Sequence, residues 1–577
     1  MIKILSRKIF NDFYFNLTNF IKNNHVIIIA FFCCSFLAFY NLGKIEFWGE
    51  DEGQTLLYAS RFLGGILTGT KDNITAFYYN STLSSVILLQ VPFIMIFGVR
   101  ELAARMPNAI VVILNLFLVY KIGKLFLNKK ALNILVIIYA VSGAVGLFKS
   151  ALGVGFYIFF ILLSFYKMEK FLFSPALEDR YKMSDLIIAI ICLVFALVTV
   201  PDAYFYVPYF LILVFMNIKK IGFKKLLISI IFPVFIFIGF FYYQFYYPKK
   251  FLGFNTGTYE HFLSRKTGLV FSFNIKEYLT GYITNFSIFF LILFIAALII
   301  FLILRIKRKI FFPKLILHMI LLFGLHFFLW MFFVKNECGH LMHNYLIYML
   351  FTAYCIGALW DVIADYNSKI KKENNSIKYY SSFNGKEKAS ILNKKVLLPI
   401  LGFFFAFIIG LNFYHTFILF NNLSINKEKY PLFYKPYKIP CGYAEGRKLG
   451  MKSAAYILRK RLKPNQNLVS DKGVAFNFLY MGNGFTSFSS KNAIDLLKDG
   501  HDVLKEYNIR FIGISADYSQ RIYNKIIIKH KEKDLYYIYD LEAKGSKAEE
   551  ILRDQYDKDY HKEYINIYKA IPYYVRK

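Results

Sequence analysis

Long apolar runs alternate with short polar loops along most of this chain. Crossing roughly 30 Å of hydrocarbon takes a helix of about 17 to 25 residues. Runs near that length lie at 25–42, 82–98, 103–126, 131–148, 153–171, 185–200, 203–217, 225–247, 286–305, 314–334, 343–363 and 396–420. The pattern predicts a polytopic α-helical membrane domain over 25–420. After residue 420 the character changes. "EGRKLGMKSAAYILRKRL" and "AIDLLKDGHDVLKEY" carry helical periodicity, while "NLVSD", "IRFIGISA" and "DLYYIYDL" read as strands. Helices alternating with strands predict a small soluble α/β domain over 421–577.

The loop charges bear on the number of crossings. "KLFLNKK" (124–130), the stretch holding Lys167, Lys170, Arg180 and Lys182, "KKIGFKK" (219–225), "RIKRK" (305–309) and the Lys-rich 367–395 loop all belong on the cytoplasmic side. So does the N-terminus, 1–24, with Lys3, Arg7, Lys8 and Lys22. These assignments place 248–285, 335–342 and everything after 420 outside. An inside start and an outside end need an odd number of crossings, so one of the twelve runs fails to cross. The weakest is "TLSSVILLQVPFIMIFG" (82–98), with Gln90 and Pro92. Laid in the outer interface, it leaves about eleven spans and makes 43–102 a first extracytoplasmic loop. A misread hairpin among 185–217 repairs the parity differently.

Composition supports this class and narrows the partners. At 57% hydrophobic and 20% aromatic, the 577 residues are too apolar for a soluble protein of this size. Lys and Arg number 70 against 37 Asp and Glu, a formal charge of +33. Because the cations sit in loops between apolar runs, they fit topology and anionic lipid headgroups rather than nucleic acid. The six cysteines form no CxxC pair. Cys338 and Cys441 alone fall outside the apolar runs, which leaves a bridge between them open. The first run lacks a small-residue cleavage site and reads as a retained anchor in the cytoplasmic membrane.

Chemistry concentrates in "KIEFWGEDEGQTLLYASRFL" (44–63), where Glu50, Asp51 and Glu52 stand side by side beyond the first span. A carboxylate at a membrane interface can serve as a general base, accepting a proton from a hydroxyl or amine. The ordinary reading is an acidic outer loop. Lys149 and Asp202 ("TVPDAYFYVP") fall at other outer turns, the first as a cation for a phosphate leaving group or a snorkelling lysine, the second as a site residue or a helix cap. "KNECGHLMHNYLIYML" (335–350) is a second dense stretch, with Lys335, His340, His343 and Tyr345. His340 and His343 share a face if helical. A divalent metal there needs a third ligand, for which Glu337, Cys338 and His261 are candidates. The outer loop 248–285, with His261, Arg265 and Lys266, is a candidate lid or acceptor-binding segment.

The order "FWGEDEGQTLLYASRFL", "STLSSVILLQVPFIMIFG", "VRELAARMPNAIVVILNLFLVYKIGKLFLNKKAL" resembles membrane glycosyltransferases of the GT-C fold. Its nearest look-alikes are the protein O-mannosyltransferases and aminoarabinose transferases. The resemblance is clear over 25–130, diffuse to 420 and architectural beyond. It implies Asp51 as catalytic base with Glu52 beside it, and Arg61 on the phosphate of a lipid-linked donor. Arg105, in "AARMP", matches a family arginine at the start of the next span. A segment of "PPL" type in the family is "STL" (81–83) here. The resemblance also implies donor-phosphate recognition at 335–350, where this chain puts histidines in place of the usual proline. The implied reaction transfers a sugar from a polyprenyl-phosphate donor to an extracytoplasmic lipid, glycan or protein, with inversion. A transporter or flippase of envelope glycolipid precursors is the alternative, since it also uses carboxylates and cations within a bundle.

Overall fold

The computed structural model describes residues 24–40, 42–43, 50–69, 84–148, 154–173, 181–252, 279, 282–283, 286–306, 314–333, 344–377 and 387–421, together with seven strands between 467 and 550. Lys149, His261, Lys335, Cys338, His340, His343 and Cys441 lie outside the described residues, as do residues 1–23 and the two helices expected in the tail. Of Asp51, Glu52 and Asp202 only the backbone is described.

The bundle opens with α1 (Asn24–Phe39). There follow α2 (Glu50–Thr68), α3 (Ser84–Phe97), α4 (Glu101–Lys124), α5 (Lys129–Ala140), α6 (Gly143–Phe148), α7 (Val154–Phe173) and α8 (Met183–Leu197). A 3-10 turn (Pro201–Tyr206) leads into α9 (Val207–Ile221) and α10 (Phe223–Phe241), which continues through two π turns to Leu252. The membrane part closes with α11 (Ile288–Ile306), α12 (Lys314–Phe333), α13 (Tyr345–Ile377) and α14 (Glu387–Asn421). Among the described residues, six helices are long and apolar enough to span a membrane: Glu101–Lys124, Ala203–Ile221, Phe223–Phe251, Ile288–Ile306, Tyr345–Ile363 and Pro399–Phe417. Shorter apolar helices lie at Asn24–Phe39, Leu88–Phe97, Met183–Leu197 and Ile316–Leu329.

Local chemistry explains several helix ends. Asn128 caps α5, its side-chain oxygen accepting from the Ala131 amide at 2.8 Å. Gly222, at φ +79°, makes the one-residue joint between α9 and α10, a conformation other residues adopt only at a cost. The run at 131–148, expected as one span, is broken at Val141 and Ser142. There the Ser142 amide and hydroxyl both turn back to the Tyr139 carbonyl, at 3.1 and 2.8 Å. Thr416 of α14 then donates to the Val141 carbonyl at 2.8 Å, so the break is satisfied from across the bundle.

Side-chain contacts sort the helix ends into two rims. On one rim Arg105 near the start of α4 meets Leu42 just past α1, Tyr139 near the end of α5 meets Tyr345 at the start of α13, and Ser287 meets Asn412 late in α14. On the other, Asn128 and Lys130 at the start of α5 meet Asp361 of α13, and Lys167 and Lys170 of α7 meet Asp185 at the start of α8. The α5–α13 seam between the rims is tight. A Cβ built on Gly357 would stand 2.5 Å from the Ala131 Cβ. Around it runs a core that includes Cys34, Leu116, Leu135, Ile161, Phe165, Leu322 and Met349.

After residue 421 the described residues are strands alone: β1 (Asn467–Ser470), β2 (Ser487–Ser489), β3 (Ile509–Ser515), β4 (Ile522–Tyr523), β5 (Ile526–Ile527), β6 (Tyr536–Asp540) and β7 (Glu549–Glu550). Five form one sheet in the order β2-β1-β3-β6-β7, with β1 parallel to β2 and β3, and β6 antiparallel to both neighbours. β4 and β5 pair separately. β1, β3 and β6 fall on the segments that alternation marks as strands.

Candidate active site

The acidic triplet becomes the first turn of α2. A helix N-terminus, with its unsatisfied amides and the positive end of the dipole, favours negative charge locally. Thr55, one turn beyond Asp51, is fully buried. The buried amide of Gln90, in α3, donates to the Thr55 hydroxyl and to the Ala104 carbonyl of α4, each at 3.3 Å. The polar residue that marks α3 as a poor span is therefore the joint that fixes the acidic helix against the start of α4. Arg61 is half-buried on α2, ten residues beyond Asp51 and so about 15 Å along the axis.

Arg105 is 2% exposed, and its guanidinium donates to the Leu42 carbonyl at 3.4 Å. The turn after α1 approaches α4 so closely here that a Cβ on Gly43 would stand 3.1 Å from the Leu102 Cβ. Arg105 thus anchors the chain that leads into the acidic segment. Tyr345 is 1% exposed inside the bundle, its ring stacked on Phe286 with centroids 5.1 Å apart and 6.4 Å from that of Tyr139. The turn carrying Asp202 belongs to the same half of the bundle. Its Tyr206 stacks on His326 of α12 at 4.4 Å, and lies 6.5 Å from Tyr157 of α7.

The structure thus groups α2, Gln90, Arg105 and Leu42 at one junction and Tyr345, Tyr139 and Phe286 at a second. Residues 149, 261, 335, 340 and 343 lie outside the described set. Among the described residues, no three His, Cys, Asp or Glu side chains gather as a metal site.

One polar cluster went unmarked by the sequence. Glu169 of α7, 3% exposed, accepts from the Tyr209 hydroxyl at 3.1 Å, and its same oxygen is 2.7 Å from Nδ1 of His318 in α12. A carboxylate inside an apolar run was the available signal, hidden between Lys167 and Lys170 in a stretch read only for loop charge.

No family model and no curated protein matches the sequence. Solved structures do. The crystal structure of ArnT from Cupriavidus metallidurans bound to undecaprenyl phosphate is similar with a TM-score of 0.54 at 11% identity, over 86% of this chain and 94% of that one. Its apo state gives 0.51 at 12% identity, over 84% and 91%. The chain has the GT-C fold. The archaeal oligosaccharyltransferase AglB from Archaeoglobus fulgidus, in complex with an inhibitory peptide and a dolichol-phosphate, scores 0.45 at 12% identity over 87% of this chain and 70% of its own. At these identities the likeness is one of fold.

Proposed function

We propose that the chain is an integral-membrane glycosyltransferase that moves a sugar from a polyprenyl-phosphate donor to an extracytoplasmic acceptor. The observation that carries this is a helix beginning Glu50-Asp51-Glu52, fixed by Gln90 and Thr55 against the start of α4, in a fold shared with a protein crystallised with undecaprenyl phosphate. Asp51 takes the proton from the acceptor as it attacks the anomeric carbon, and Glu52 supports it. Arg61, Lys149, Lys335, His340 and His343 hold the phosphate on which negative charge develops as the glycosidic bond breaks. Tyr345 braces the start of α13 beside them. Displacement in one step inverts the sugar. About eleven crossings put the first loop, 43–102, and an α/β domain, 421–577, outside the cytoplasmic membrane.

The test is release of polyprenyl phosphate by the full chain in proteoliposomes supplied with polyprenyl-phosphate monosaccharides and an envelope extract as the source of acceptor. Asp51→Asn is expected to lower turnover about 10²–10⁴-fold, the usual contribution of a positioned base, with donor affinity retained. Turnover within a few-fold of wild type removes Asp51 as the base. Lipid translocation without sugar transfer favours the flippase alternative.

A further inference from the structure

Of the six helices long and apolar enough to span a membrane among the described residues, Phe223–Phe251 is the longest and the least buried. At about 1.5 Å per residue its 29 residues reach about 43 Å. A bilayer offers roughly 30 Å of hydrocarbon, and about 40–45 Å with both headgroup layers. Lys224 and Lys225 mark one end. Counted from Lys225, about 30 Å of rise ends near Phe245. The tyrosines at 242, 243, 246 and 247 straddle that boundary. Lys249 and Lys250 stand about 6 Å beyond it, at the depth of lipid phosphates.

This end of the helix is built differently from its middle. Pro248 has no amide to give, and its ring crowds the carbonyl four residues back. The chain widens there into π turns over Tyr242–Tyr246 and Pro248–Leu252. Rings then align four residues apart: Tyr242 and Tyr246 at 5.3 Å, Tyr243 and Tyr247 at 6.0 Å, Tyr247 and Phe251 at 5.2 Å. Gln244 and Pro248 turn inward and are buried, whereas Tyr242, Tyr243, Tyr246, Phe251 and both lysines are exposed. The Lys250 ammonium sits 5.3 Å from the Tyr246 ring centre and 5.8 Å from that of Phe251. Cation–π attraction therefore holds this charge against the aromatic panel.

Among the described residues neither lysine has an ion-pair partner. The sequence holds no Asp or Glu between Asp202 and Glu260, so this stretch carries no counter-charge of its own. Phe235 and Ile238, two turns and one turn before Tyr242, are exposed as well and continue the face into the hydrocarbon. A soluble anion would answer the lysines and leave the apolar face unused. A neutral glycan could stack on the rings and leave the charge unanswered. An amphiphile with a phosphate at its head meets both. We propose that the Tyr242–Phe251 end of α10 is a docking surface for an anionic phospholipid, its phosphate on Lys249 and Lys250 and its chains along Phe235 and Ile238. The docking does not depend on the sugar-transfer reading.

The experiment uses the full chain in phosphatidylcholine nanodiscs, with Trp48, Trp330 and Trp360 changed to Phe and Tyr243→Trp as the fluorescent reporter. Quenching is compared for phosphatidylglycerol and phosphatidylcholine, each carrying a nitroxide near the top of one acyl chain. Phosphatidylglycerol is expected to be enriched at the reporter by about fivefold for each lysine at low salt, and less as salt rises. K249Q/K250Q should abolish the preference and K249R/K250R should keep it. K224Q/K225Q, at the far end of the same helix, should leave it unchanged. Equal quenching by the two lipids overturns the proposal, as does a preference that survives K249Q/K250Q. A loss just as large in K224Q/K225Q overturns it too, since the attraction then belongs to the overall charge. Displacement of the labelled phosphatidylglycerol by inorganic phosphate, or by trace undecaprenyl phosphate, also overturns it, because the surface is then a site for a different ligand.

Discussion

Arg105 and Gln90 show how single polar side chains are used when no water is at hand. Each is 2% exposed or less, and each donates to a backbone carbonyl of a neighbouring element. Replacing Arg105 by Met leaves the Leu42 carbonyl without its guanidinium partner, an expected loss of about 1–3 kcal/mol that thermal unfolding in detergent would register. Gln90→Leu should cost about 1–2 kcal/mol by the same measurement, because Thr55 and Ala104 lose their common donor. The sequence marks both positions, Arg105 through its motif and Gln90 as a flaw in a span. Neither mark reveals the partner, since Leu42 and Arg105 lie 63 positions apart and the bond is to backbone, which carries no sequence signature. Glu169 was harder still: "KMEK" looks like an interfacial charge run, and only the approach of α12, 149 positions on, turns it into a buried junction.

Among elements, the α5–α13 seam is the most constrained. Gly357 admits the Ala131 backbone, so G357A drives a methyl into a space 2.5 Å from another, an expected destabilisation of about 1–3 kcal/mol. Gly410 of α14 has nothing within 4 Å of a built Cβ, so G410A should be neutral or stabilising by about 0.5–1 kcal/mol. Paired melting curves of the two variants separate packing from propensity. Both glycines look alike in sequence, as isolated small residues in apolar helices. The break between α5 and α6 was hard to read: 131–148 is a predominantly apolar run of spanning length, and what ends α5 is a serine folding back on Tyr139 with help from Thr416, 275 positions beyond Val141.

At the scale of the whole molecule, the two rims offer a direct check of sidedness. Single cysteines at Asp51 and Lys130, on a background without the six native ones, should differ toward an impermeant maleimide: D51C modified on intact cells, K130C only after permeabilisation. The reverse result would place the acidic helix in the cytosol and remove the lipid-donor reading. Loop charge predicts an alternation of helix ends, because lysines cluster at one end of successive apolar runs for reasons of insertion energetics, and the labelling tests it. Strands β1, β3 and β6 were readable from alternation, while their mixed parallel and antiparallel order was not, since pairing between distant segments leaves no local trace.

The clasp of Lys130 on Asp361 at 2.9 Å joins positions 231 apart, and Ala131 beside it meets Gly357 backbone to methyl. During synthesis, α5 therefore waits for well over two hundred residues to leave the ribosome before its partner exists. Chains cut short before residue 357 should be recognised as incomplete and degraded, however well their earlier helices have entered the bilayer.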